Sequence, residues 1–319
     1  MLHLQRSSLE ESCKGILTGC VGLSPGESTL VVTDTEKADI GMGIFAAAQA
    51  LGSDAVMVIM RPRGVNGEEP PGPVAAAMAA ANVVMCPTAK SLTHTQARKN
   101  AALSGARVAT MPGITQDMFR RGALTADYGK VSELTTRIAR LLTGAASARL
   151  VYHGHTLTMS LEGREAIAST GRFLKPGDSG NLPSGEAYIA PVEGSAEGSI
   201  YVDGSVAGLG KAEQPLIVEI RHGLAEVFSG WGSSEMDHLL AGPGTRNVAE
   251  LGVGTNEKAR LTGIVLEDEK IHGTVHIAFG DNSTFGGSVR AGVHIDCVML
   301  KPDLYLDDVQ IIRGGEFVI

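Results

Sequence analysis

Five residues in the second half of the chain have the types and spacing of a metal centre: Glu186, Glu250, His276, His294 and Asp296. His294 and Asp296 are two apart in an apolar run that reads as a strand. Side chains alternate along a strand, so this imidazole and carboxylate share a face and can grip one ion. His276 lies in the run Val275-His276-Ile277-Ala278-Phe279, where a buried imidazole needs a polar partner. Glu250 precedes Gly252-Val253-Gly254-Thr255-Asn256. Glu186 follows the turn-rich Asn181-Leu182-Pro183-Ser184-Gly185, which presents its carboxylate at the start of a strand. Three carboxylates with two imidazoles suit one or two borderline divalent ions such as zinc, cobalt, manganese or iron. Such ions lower the pKa of bound water and polarise a carbonyl, which is hydrolytic chemistry. Glu250 is the expected general base and Glu186 the other choice.

Other residues compete for roles. His153 and His155, also two apart, are a second candidate metal pair, ranked below the first and read as substrate-pocket residues. Glu267-Asp268-Glu269, before Lys270, reads as a solvated turn. Cys297 alternates to the face opposite His294 and Asp296. In the first half, Pro87-Thr88-Ala89-Lys90-Ser91-Leu92-Thr93-His94 follows a strand. That loop either brings His94 to a substrate or caps a helix through Ser91 or Thr93.

These residues need elements to hold them. Short apolar runs at 29–33, 55–60, 83–86 and 107–111 alternate with helical stretches at 40–51, 73–81 and 93–104, and a longer helix spans 130–142. Continuously apolar strands alternating with helices predict a mostly parallel α/β domain over residues 1–145. Beyond it, Gly-punctuated β runs dominate, with one helix near 234–240. Residues 146–319 are therefore expected to form a β-rich α+β catalytic domain that binds the metal. No GxGxxG follows the first strand, so a dinucleotide site is not expected.

Composition narrows the function classes. The 319-residue chain is 43% apolar but only 4% aromatic, so its core rests on aliphatic residues. A formal charge of −8 without Lys/Arg blocks argues against nucleic acid, whose binding depends on phosphate neutralisation. No 18-residue apolar run predicts a membrane span, and the first eleven residues lack the apolar segment of a secretory leader. Four scattered cysteines, with no CxxC pair, fit reduced thiols in the cytoplasm.

With these residues in place, the second half resembles the aminopeptidase T and aminopeptidase S metallopeptidases. The likeness is carried by Asn181–Glu186, by Glu250 with Gly252–Asn256, and by His276–Gly280 with His294-Ile295-Asp296. It implies an N-terminal α/β domain, a two-metal catalytic domain, a small peptide or related small-molecule substrate, and a homodimer. All five ligand positions are present. Two features depart from the peptidases. Their tyrosine seven residues after the first histidine is Ser283 here, and the segment from His276 to His294 is shorter. The compact first half looks more like the relatives of 2,5-dihydroxypyridine 5,6-dioxygenase, which hold one iron(II), keep the His-x-Asp and take another histidine as third ligand. His238 is the candidate for that ligand, against a helix-surface histidine beside Asp237. Retention of Glu186, Glu250 and His276 favours aminopeptidase-like hydrolysis. The iron(II) ring-cleaving dioxygenase is the alternative, and a catalytically idle, metal-stabilised scaffold is a third class.

Overall fold

The computed structural model describes residues 2–319, with side chains described from Leu9 onward. The N-terminal stretch read for a leader begins with Met1, which lies outside the described residues. Two compact units are present. One runs to Gly129 and takes back Gly171–Ser184; the other comprises Lys130–Thr170 and Gly185–Ile319.

The first unit is the parallel α/β domain that its alternating pattern predicts. Strands β1 (Ser28–Asp34), β2 (Asp54–Met60), β3 (Val83–Thr88) and β4 (Arg107–Pro112) pair in the order β2-β1-β3-β4, all parallel. Strand Ser179–Asn181 adds a fifth member beside β4. Helices α1 (Leu2–Gly19), α2 (Ala38–Ala50), α3 (Gly72–Ala80) and α4 (Gln96–Leu103) accompany these strands. Helix α1 is not expected from the sequence. It lies against α2 where Gly43 offers no side chain to Leu9 and Cys13. The core between α3, α4 and the sheet uses Leu30, Val32, Met78, Val84, Leu92 and Val108. Helix α4 starts after Thr95, whose hydroxyl accepts the Arg98 N–H. It starts later than position 93 because the Thr93 hydroxyl is engaged with Thr110 and Asn181 instead, at 2.9 and 2.8 Å.

The second unit is β-rich. An eight-stranded sheet built on antiparallel pairs and a seven-stranded sheet share one core with helix Tyr128–Gly144. Ile138 and Leu142 of that helix join Leu150, Ile200 and Val218 of the larger sheet, and Leu251, Ile277, Phe279 and Cys297 of the smaller. This division differs from a single cut after residue 145, because that helix buries its apolar face in the second unit's core. The returning segment Gly171–Ser184 also supplies the first unit's fifth strand.

In the seven-stranded sheet the central strands are Glu186–Ile189, Val248–Gly254, Val275–Gly280 and His294–Met299, in that spatial order. Their antiparallel register pairs Glu186 with Gly254, Gly252 with His276, Ala278 with Asp296, and Gly280 with His294. Directly paired residues share a face, and positions two apart repeat it. Leu251, Val253, Ile277, Phe279 and Cys297 therefore face the apolar core, as expected for Cys297. Glu186, Tyr188, Glu250, His276, His294 and Asp296 line the other face. Among the described residues, no helix is long and apolar enough to cross a membrane.

Candidate metal centre

All five candidate residues meet on the polar face of this sheet. His276 Nε2 is 3.1 Å from Glu250 Oε1 and 3.4 Å from Glu186 Oε2. His294 Nε2 is 3.4 Å from Glu250 Oε2 and 3.3 Å from Asp296 Oδ1. Among the described residues three overlapping groups have ligand atoms close enough to hold an ion: Glu186–Glu250–His276, Glu250–His294–Asp296 and Glu269–His276–Asp296. None of the three contains both histidines.

Glycine makes the assembly possible. Gly252 lies opposite His276, and a Cβ there would overlap the imidazole ring. Without that atom the ring lies flat over the neighbouring strand and reaches Glu250. The loop between the last two strands orients His294. Asp281 accepts from the Ser283 N–H and hydroxyl at 3.0 and 2.8 Å and from Ala291 N at 3.1 Å, while its carbonyl lies 2.9 Å from His294 Nδ1. Nδ1 therefore carries a proton and Nε2 is the nitrogen left to ligate an ion in the cluster, the usual way a ligating imidazole is held. Asn282 is buried beneath this loop. It donates to Glu193 and accepts from Val289, and Gly287 leaves room for its side chain. Ser283, which stands at the peptidases' tyrosine position, thus acts locally by fixing Asp281. Asp281→Ala keeps the backbone carbonyl but removes the carboxylate that fixes this loop, so it is expected to weaken divalent metal binding by about 10-fold through a less firmly oriented His294. Calorimetric titration checks this; unchanged affinity would count against it.

Three residues were not legible as site members. Lys270, read as following a solvated turn, is buried with its Nζ 2.6 Å from Glu186 Oε1, and it also bonds Glu269. The turn itself is not solvated. Glu267 and Asp268 are fully buried at the short helix Val265–Asp268, where Asp268 accepts from the Thr262 and Gly263 backbone N–H groups at 2.7 and 2.8 Å. Tyr188 shares the face of Glu186, and burial followed by the Glu250 and Glu186 charges raises its pKa. Its ring meets Phe285 edge-on at 5.4 Å, and Phe285 meets His294 at 5.8 Å.

The other candidates lie elsewhere. His153 occupies an exposed hairpin turn of the larger sheet with φ of 48°, its ring 4.5 Å from Tyr201. His155 Nδ1 contacts Ser199 Oγ at 2.8 Å. Neither belongs to the three groups, so the pair is not brought to the cluster. His94 is exposed on a turn of the first unit. His238 is exposed on helix Ser233–Leu239, as the helix-surface reading expects.

Four carboxylates around one ammonium draw protons into the cluster when no other cation is present. Buried ions without counter-charge cost several kcal/mol each. Burial opposes charge on His276, but its Glu250 hydrogen bond and the Glu186, Glu250 and Glu269 carboxylates outweigh that and push its pKa up to about 9. Burial likewise opposes charge on His294, and Asp296 and Glu250 raise its pKa well above the ordinary value. Burial lifts Glu269 to about 8, with Glu186 and Asp296 adding to the rise against Lys270. Against its burial, Asp296 is held below the usual carboxylate range by His294. A divalent cation would replace those protons as counter-charge, and the buried Glu186 Oε2, without a hydrogen-bond partner, shows that the protein alone does not saturate the cluster's acceptors. The donor set fits a metal ion.

The sign of the pH dependence follows. In metal-free protein the raised His276 pKa contributes stability that is fully present below its unfolded value of 6.5 and is lost as pH rises through about 9. The raised Glu269 acts in the same direction, losing stability as pH climbs from 4.5 to about 8. Chelated protein is expected to lose roughly 3 kcal/mol through His276 alone across its window. The check is its melting temperature against pH, and a flat profile would contradict the charge assignment.

Comparison with known proteins gives the family. A family model described as NicX: 2,5-dihydroxypyridine 5,6-dioxygenase matches residues 8–319. A 2,5-dihydroxypyridine 5,6-dioxygenase of Pseudomonas putida KT2440 is 25% identical over 169 residues, 48% of this chain and 48% of that protein. The chain spans about half the length of the curated relative it matches. The solved 2,5-dihydroxypyridine dioxygenase of Pseudomonas putida KT2440 shares the fold with a TM-score of 0.83 at 20% identity, over 98% of this chain and 97% of that one. AmpT from Thermus thermophilus shares it with a TM-score of 0.72 at 17% identity, over 98% and 99%. These findings overturn the hydrolytic expectation. The aminopeptidase resemblance reduces to a common fold, and the assignments metallohydrolase, aminopeptidase and proteolysis are withdrawn in favour of the dioxygenase alternative. The chain belongs to the 2,5-dihydroxypyridine 5,6-dioxygenase family.

Proposed function

We propose that this protein is a non-haem iron(II) ring-cleaving dioxygenase acting on a dihydroxylated nitrogen heteroaromatic such as 2,5-dihydroxypyridine. The observation that carries this reading is the triad Glu250, His294 and Asp296, a hard-and-borderline donor set on a rigid sheet, in a chain whose family model spans residues 8–319. One imidazole with two carboxylates departs from the two-histidine, one-carboxylate set of many oxygenases. Glu250 fills the third place, and His238 is set aside. Bound there, iron(II) would supply the redox chemistry that lets dioxygen react with the ring.

The chain's own residues divide the remaining work. Asp281 holds the His294 tautomer through its carbonyl. His276 donates to Glu250 and fixes that carboxylate's rotation. Glu186 Oε2, buried without a partner, is placed to accept a hydrogen from a substrate hydroxyl. Tyr188 and Phe285 give an aromatic edge beside His294 for a flat ring. In the net reaction both atoms of dioxygen enter the product and one ring carbon–carbon bond breaks. The reading also includes a homodimer, which light scattering checks. Protein loaded anaerobically with iron(II) should consume one dioxygen per 2,5-dihydroxypyridine, read by an oxygen electrode and loss of the ring's absorbance. No uptake with this or any related dihydroxylated heterocycle would refute the proposal.

A further inference from the structure

The two halves of the cluster are prepared differently. In one, His294 Nδ1 has the Asp281 carbonyl as acceptor, so Nε2 is the nitrogen left to ligate beside Asp296 and Glu250. In the other, His276 Nδ1 is buried with no acceptor for an N–H. Its Nε2 carries a proton and donates it to Glu250 Oε1 at 3.1 Å, in the neutral ring and in the imidazolium alike. That nitrogen is then spent on a hydrogen bond. Glu186 is similarly committed, because its Oε1 lies 2.6 Å from Lys270 Nζ, and Lys270 also bonds Glu269.

We propose that Lys270 is a built-in counter-cation that takes the place of a second metal ion, so that the cluster holds one divalent ion on Glu250, His294 and Asp296. This deepens the metal-centre reading and rests on it. The ammonium is buried and fixed by two carboxylates, neither of which belongs to the triad holding the ion. Its charge balances Glu186 and Glu269 and repels any dication approaching the Glu186–His276 side. Lysine suits this role because its ammonium is a compact point charge on a flexible stem. Lys270 is a positioning residue here, since it acts through Glu186 and Glu269.

The test counts metal on dialysed protein by plasma mass spectrometry and titrates Mn(II) by calorimetry. Wild type is expected to take one equivalent, and Lys270→Arg, which keeps the charge, also one. Lys270→Met should take a second equivalent, at least tenfold tighter than any second wild-type binding. Two wild-type equivalents of comparable affinity would overturn the role of Lys270 while leaving a metal centre in place. A folded Lys270→Met that still takes one would overturn it as well. No uptake by wild type at any concentration would remove the metal centre itself. The wild-type count decides the question even where Lys270→Met does not fold.

Discussion

Asp296→Ala should reduce bound iron(II) to background and lower ring-cleaving turnover by about 10³-fold, since a metal centre is worth several kcal/mol to its reaction. The carboxylate faces His294 at 3.3 Å, and its neighbour Cys297 on the opposite face packs in the apolar core. Removing a side chain from the polar face leaves that core intact, so the variant should remain folded. Its metal-free melting temperature at neutral pH should fall below that of chelated wild type, because the interaction with His294 that holds Asp296 below the usual carboxylate range is lost. Metal content and turnover measured together check this. Retention of both would remove Asp296 from the centre.

Gly252→Ala carries the second large effect, and it reaches the site without replacing a candidate ligand. The added Cβ would overlap the His276 ring, which cannot retreat into a fully buried site. Overpacking of this kind costs about 1–3 kcal/mol. The imidazole must also leave Glu250, so the carboxylate loses the donor that orients it. A fall in melting temperature accompanied by at least tenfold weaker metal binding is expected. A variant equal to wild type in both would show that the close approach of Gly252 and His276 has no consequence.

Much of this arrangement was legible in the residues. The His-x-Asp pair and the strand histidine could be placed because a strand repeats every two residues. Glu186 could be placed because a Gly- and Pro-containing turn precedes it, and Glu250 because it stands just before the glycines of its own strand. The parallel strands of the first unit were readable because each is continuously apolar between helical stretches. What could not be read depends on contacts between strands. Tyr188 joins the site only because register sets it opposite Gly252. Lys270 and Glu269 sit in a charged run that resembles any solvated turn, and only burial against Glu186 turns that run into part of the centre. The hydrolytic expectation fails for a related reason. Glutamates and histidines that suit two hydrolytic ions look the same in sequence whether or not a lysine already balances one side of the cluster.

The most direct test of the central claim is a turnover of the iron(II)-loaded protein on 2,5-dihydroxypyridine under isotopically labelled dioxygen, with the product read by mass spectrometry. A ring-cleaving dioxygenase centred on Glu250, His294 and Asp296 predicts that both labelled atoms appear in the ring-opened product, and that Asp296→Ala forms none. A product carrying label from water alone, or full turnover by Asp296→Ala, would contradict it.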